Sequence, residues 1–237
     1  MLQQTYREIA VKAMPLDIIF FKGDDIISEI VEKSEKYETN NDFTSHVGII
    51  VTSEILPKIT TKDGKVIRLN PGLLYIFEST VALNGPKDLE TGKNIHGVQL
   101  RVLEDVIKNY ITDDKIKVSW GKLKNNPLDL EKVPLNRKPF DEITQTFQEL
   151  FDKYEGTSYQ FNPVDLLAAA FPDFRWLRNT KEYITKFFSK SNDWLFCSEL
   201  VVKIFQSLNI MDKNVDSGNI LPVDLLKMVE EPILFKI

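Results

Sequence analysis

The sequence predicts one α+β domain, and three observations carry that prediction. Short apolar runs rich in β-branched and aromatic residues occupy the first half of the chain, and stretches with helical spacing dominate the second. No repeat, low-complexity tract or flexible linker divides them, so residues 1–237 form a single domain. A hydrophobic fraction of 43% over 237 residues supports a substantial core.

The elements follow in order. "MLQQTYREIAVKAM" alternates polar and apolar residues like a short amphipathic helix, which Pro15 ends. "LDIIFFKG" (16–23) is an apolar run closed by glycine, as in a buried strand. "DDIISEIVEKSEKY" spaces Ile26, Ile27, Ile30 and Val31 as a helix that Asp24 can cap. "HVGIIVTS" is a second strand, and "KITTKDGKVIRL" a hairpin, because Asp63 and Gly64 suit the positive backbone angles of a tight turn. "GLLYIFEST" (72–80), "GVQLRVL" (97–103) and "DKIKVSW" are three further strands. The proline-bearing connector "NNPLDLEKVPLNRKPF", near residue 130, is the one plausible internal boundary. Beyond it "DEITQTFQELFDKY" puts Ile143, Phe147, Leu150 and Phe151 on one helical face, and "VDLLAAAF" and "TKEYITKFF" also read as helices.

Composition excludes several functions. The net charge of -5 is spread over mixed residues with no long basic run, so the electrostatic footprint of nucleic-acid binding is missing. One cysteine forms no intramolecular disulfide, and with His46 and His96 it makes a poor start for a structural zinc site. The first residues lack the apolar centre of a signal peptide, and no segment holds the ~18 uninterrupted apolar residues of a membrane span. The expectation is a cytoplasmic protein in a reducing compartment.

The single cysteine lies in "NDWLFCSELVVKIF". Cys197, Leu200, Val201, Ile204, Phe205 and Leu208 recur at helical spacing, so Cys197 starts the apolar face of a helix that Asn209 can close. As a small hydrophobe it would simply pack there, as free cysteines usually do. As a thiol in the first turn it would feel the helix dipole and free amides, which favour the thiolate and could hold an oxyanion. Ser191, Asn192 or Asp193 is available as the cap.

A nucleophilic thiol needs a base. His46 opens a strand, with Gly48 two residues on along the same face leaving room beside the imidazole, whereas His96 falls in a polar turn and reads as solvated. The third member should orient the imidazole. Glu78 ends an otherwise apolar strand, where a charge has either found a partner or reached solvent.

Taken in order, "FTSHVGIIV", "YIFEST" and "FCSELV" resemble the permuted branch of the NlpC/P60 papain-like superfamily, near its YiiX- and YebB-like proteins and related to the lecithin:retinol acyltransferase-like proteins. The histidine strand precedes the cysteine helix, the reverse of papain's order. The resemblance implies a circularly permuted papain-like fold, an antiparallel sheet or partial barrel packed on the nucleophile helix, with added helices. It implies Cys197 as nucleophile, His46 as base and Glu78 as orienting acid, with Ser198 in the same motif as a supporting residue. "PLDIIFFKG" is similar to the family's opening Gly-Asp-Ile strand, with Leu16 in place of glycine, and "GTSYQFN" to a Gly-x-x-Tyr segment. Asp17 and Tyr159 are thereby supporting candidates, the alternatives being a solvent-facing strand start and a packed aromatic. Pro222 in "NILPVDLL" opens a helix.

The implied activity is a cysteine-dependent amidase, hydrolase or acyltransferase working through a thioester, with no metal or organic cofactor. Its substrate would be a lipid, or a lipid-linked or peptide amide, with peripheral membrane contact available. A helical insertion at about 162–190 could line an acyl pocket or be an ordinary packed hairpin. The rival readings are a non-catalytic lipid- or protein-binding module and a protease acting on a protein partner.

Overall fold

A computed structural model describes residues 3–22, 44–80, 85–111, 117–129, 140–158 and 195–236. Nine strands are described: β1 (Gln3–Thr5), β2 (Ile18–Lys22), β3 (His46–Val51), β4 (Lys58–Thr60), β5 (Val66–Arg68), β6 (Tyr75–Thr80), β7 (Gly97–Val102), β8 (Lys117–Gly121) and β9 (Ile233–Lys236). The helices are α1 (Tyr6–Ala10), α2 (Leu103–Ile111), α3 (Phe140–Tyr154) and α4 (Cys197–Ser207), with a 3-10 helix at Pro222–Met228.

Seven strands form one sheet in the order β1-β9-β8-β2-β3-β6-β7, antiparallel except for the β1–β9 pair, and β4 and β5 form a separate hairpin closed at Gly64 (φ 82°). The alternation of side chains along a strand explains why β2, β3 and β6 read as unbroken apolar runs. Ile18, Phe20, Val47, Ile49 and Phe77 point to one face, where they pack with Phe147 and Phe151 of α3 and Leu200, Val201 and Ile204 of α4. Ile19, Phe21, Ile50 and Ile76 point to the other, against Leu103, Val106 and Ile107 of α2. Both faces are covered, so both must be apolar.

The strands, the hairpin, α3 and α4 match the sequence expectation, and α3 buries the four residues assigned to its inner face. Three elements were not expected. α2 carries Leu103, Val106 and Ile107 at helical spacing directly after β7, β1 is a short edge strand, and β9 is the short strand between it and β8. The first segment is a strand followed by a five-residue helix, capped by Thr5 and Glu8 in a reciprocal box, rather than one amphipathic helix. The expected helix at residues 24–37, "VDLLAAAF", "TKEYITKFF" and the insertion at 162–190 lie outside the described residues.

Leu16 has φ 74°, the left-handed conformation that costs a residue with a Cβ roughly 1–2 kcal/mol. Leu16 is fully buried and its N–H donates to the Ile50 carbonyl at 2.9 Å, so core packing offsets the strain. At the end of α4, Asn209 has φ 58°. Its N–H donates to the Gln206 carbonyl at 3.2 Å and the Ile210 N–H to the Phe205 carbonyl at 2.8 Å, the paired bonds of a Schellman stop. Among the described residues, no helix is long and apolar enough to cross a membrane.

Candidate active site

β3 begins at His46, and its pairing with β2 sets Phe21 opposite the histidine. The two rings lie 5.2 Å apart, tilted by 40°. The His46 Nε2–H donates to Glu78 Oε2 at 2.6 Å. The carboxylate of Glu78 is wholly buried, so it has found a partner rather than solvent. Its other oxygen, Oε1, accepts from Arg101 Nε at 3.0 Å and from Arg101 Nη2. β7 supplies Arg101: Gln99 lies opposite Glu78 and Arg101 is two residues further along the same face, within diagonal reach of a long side chain.

With Nε2 engaged, Nδ1 is the ring nitrogen left to exchange a proton with Cys197, whose thiol lies within hydrogen-bonding reach of the imidazole. Cys197 is the first residue of α4. The N-cap is Phe196, whose side chain makes no capping bond, rather than any of residues 191–193. At the first helical position the thiol sits closest to the positive end of the dipole, and its own N–H has no acceptor within the helix.

The electrostatics form a chain. Burial pushes the Cys197 thiol up, but the His46 imidazolium, and then the Val47 and Ser198 N–H groups, outweigh it, so the thiol ionises below its ordinary range. Burial pulls His46 down, but the Cys197 thiolate and then Glu78 raise it to about 10. Burial raises Glu78, but the charge of Arg101 and the bond from His46 hold it below the usual carboxylate range. The arrangement therefore favours a thiolate beside an imidazolium, backed by an ionised carboxylate and a guanidinium.

Gly48 serves this group, though not as the sequence suggested. A Cβ there would lie 2.7 Å from Ile76 Cγ1 and Cδ1 and 2.9 Å from Glu78 Cβ. The space it leaves is taken first by Ile76 and then by Glu78, the residue that holds the imidazole.

The other candidates fall elsewhere. Asp17 Oδ2 accepts from the Met14 N–H and Trp120 Nε1, both at 2.9 Å; Oδ1 accepts from the Leu123 N–H at 3.0 Å and Asn126 Nδ2 at 3.3 Å. It is buried rather than solvent-facing, and it ties three segments together without touching the Cys197–His46–Glu78 group. The Ser198 hydroxyl donates to the Ile220 carbonyl at 2.7 Å, a structural bond, while its backbone N–H serves the thiol. Tyr159 lies outside the described residues, and His96 is exposed in a loop, as expected. Arg101 was missed by sequence reasoning, although an arginine in the middle of an apolar strand was a signal that a buried carboxylate awaits it.

Among the described residues, one group of carboxylates is close enough to hold a metal ion: Asp88, Glu90 and Glu155, with ligand atoms within 4.8 Å of one another. It borders a cleft of about 460 Å³ lined in part by Lys58, Lys62 and Phe151, with no member of the Cys197 group in its wall. Asp88 is already occupied by the Thr91 and Leu100 N–H groups. Burial, and then the charges of Asp88 and Glu90, push Glu155 up to about 10, so it is protonated at neutral pH.

No family model matches the sequence. No curated protein matches it either. Among solved structures, the fold is similar to that in the crystal structure of metalloprotein yiiX from Escherichia coli O157:H7, which is 18% identical, with 93% of this chain and 88% of that chain covered and a TM-score of 0.43. A likeness that distant leaves the function to be argued from the residues themselves.

Proposed function

We propose that this chain is a cysteine-dependent hydrolase or acyltransferase of the permuted papain-like kind, with Cys197 as nucleophile, His46 as proton carrier and Glu78 as the acid that orients it. One observation carries the reading: His46 donates Nε2–H to a buried, ionised Glu78 at 2.6 Å while the thiol of Cys197 stands beside the same ring at a helix N-terminus. A wholly buried carboxylate paired with a partly exposed imidazole is costly to assemble, and nucleophile activation is the chemistry that such a group supports.

The Cys197 thiolate attacks the carbonyl carbon of an amide or ester, and the Cys197 N–H, which has no acceptor within α4, stabilises the oxyanion. Collapse breaks the bond to the leaving group, which takes its proton from the His46 imidazolium and departs as amine or alcohol. A thioester remains. Water, or an acceptor hydroxyl or amine, then gives a proton to His46 and its lone pair to the thioester carbonyl, releasing acid or transferred product and restoring the thiolate. Glu78 holds Nε2 throughout, keeping Nδ1 aimed at the thiol. The substrate class is a lipid or a lipid-linked or peptide amide.

The test is trapping and turnover. The wild-type protein, incubated with a lysate or with labelled acyl amides and esters, should accumulate an acyl adduct on Cys197 that mass spectrometry identifies. Cys197→Ala should fold and lose adduct and turnover together. A fully active Cys197→Ala protein would refute the assignment.

A further inference from the structure

Arg101 is 1% exposed, and a guanidinium removed from water is retained only where it is paired and hydrogen-bonded. It spends two of its donors on one oxygen of Glu78, leaving the other oxygen to His46. We propose that Arg101 is a positioning residue for the Cys197–His46 pair: it keeps Glu78 ionised and turned so that Oε2 meets the imidazole. This rests on the function proposed above.

The physical need is plain. A carboxylic acid as deeply buried as Glu78 would keep its proton if no cation faced it. A neutral acid would still touch Nε2, but would lend no charge to the imidazolium that the thiolate requires. Arg101 supplies that cation, and its two donors on Oε1 also fix the roll of the carboxyl plane, which a single point charge would leave free. The guanidinium is itself held. A Cβ at Gly85 would lie 3.2 Å from Nη1, tighter than an ordinary contact, so the glycine brings the loop close to it. The titratable groups that face it are Glu78 from β6 and Tyr110 from α2, and Tyr110 also responds to its charge. Phe21 packs between the two groups that meet this chain of charges, its ring 5.2 Å from that of His46 and 5.0 Å from that of Tyr110. The order of charges, guanidinium, carboxylate, imidazolium, thiolate, alternates in sign from β7 to α4.

The test uses the iodoacetamide alkylation rate against pH, unambiguous because the chain has one cysteine. In Arg101→Met, Glu78 takes up a proton, His46 loses its counter-charge, and the thiolate forms only at higher pH. The acid limb should move up by about one unit, a tenfold lower rate on the acid side. Arg101→Lys, which keeps the charge without the two-point grip, should move it in the same direction by less, and it covers the case in which the methionine variant does not fold. Adding Arg101→Met to Glu78→Gln should shift the limb no further, because the arginine then has no carboxylate to act through. A purely structural arginine would lower the unfolding midpoint and leave the limb where it is, in every variant that folds; that result overturns the proposal. A wild-type thiol that titrates like free cysteine would instead overturn the function on which the proposal rests, so the two failures are distinct.

Discussion

Replacing Gly48 with alanine adds one methyl group at the place where β3 passes β6, and the structure sets the size of the consequence. The new Cβ would stand 2.7 Å from Ile76 Cγ1 and Cδ1 and 2.9 Å from Glu78 Cβ. Ordinary carbon contacts begin at about 3.5 Å, so something must move by about half an ångström or more. Ile76 is buried among α2 and its neighbours and has little freedom. Glu78 is gripped by Arg101 through one oxygen and by His46 through the other. Overpacking of this kind costs about 1–3 kcal/mol, which urea unfolding would read directly. The displacement also falls on the 2.6 Å bond between Glu78 and His46, so the alkylation rate of Cys197 at neutral pH should fall about tenfold, since misplacements approaching an ångström cost one to two orders of magnitude. Both effects should appear in the same variant. A Gly48→Ala protein with wild-type stability and a wild-type thiol would refute the view that close backbone approach at Gly48 holds Glu78 in place.

Two further expectations use other parts of the molecule. At Leu16, with φ 74°, the usual order of substitutions should invert: Leu16→Gly and Leu16→Ala both lose a buried side chain, but only glycine sheds the left-handed strain, so the glycine variant should be the more stable by about 1 kcal/mol in urea unfolding; an alanine variant that is the more stable would contradict the strain argument. Burial, then Asp88 and Glu90, raises Glu155 from an ordinary 4.5 to about 10, so the native state keeps a proton that the unfolded chain has lost. Its contribution is fully present below about 4.5 and is lost as pH rises through about 10. Glu155→Gln should therefore flatten the decline of the urea midpoint with pH across that window, and an unchanged slope would show that Glu155 is not protonated in the fold.

Much of this architecture was legible because one physical signal carried it. Strands covered on both faces must be apolar throughout, which made β2, β3 and β6 plain, and α3 and α4 showed one apolar face each. His46 and Cys197 were legible by scarcity: with two histidines and one cysteine, few pairings exist. Glu78 was legible as a charge at the end of an apolar strand, but whether it met solvent or a partner depended on β7, whose register no local pattern reveals. Arg101 was missed for the same reason, since its partner lies on the neighbouring strand. The N-cap of α4 was misplaced because the sequence offers three good capping side chains upstream, whereas the helix starts at Cys197 behind an uncapped Phe196. Asp17 supports the fold and not the chemistry, and no local pattern separates the two, because an acidic residue before an apolar run does not announce that it will accept bonds from segments about a hundred residues away.

The pairing of β1 with β9 has a bearing on how the molecule is made. Among the described residues, residues 3–5 pair with residues 234–236, and β9 is also the strand that covers the open edge of β8. During synthesis β1 must wait for the roughly 230 residues that separate it from β9, and until β9 emerges β8 carries an unsealed row of backbone donors and acceptors. Closing so long a loop costs about 5 kcal/mol of chain entropy, which is recovered only as Phe235 settles against Tyr6, the rings 6.3 Å apart, in the core beside Ile9. Until then that edge is open to pairing with another chain.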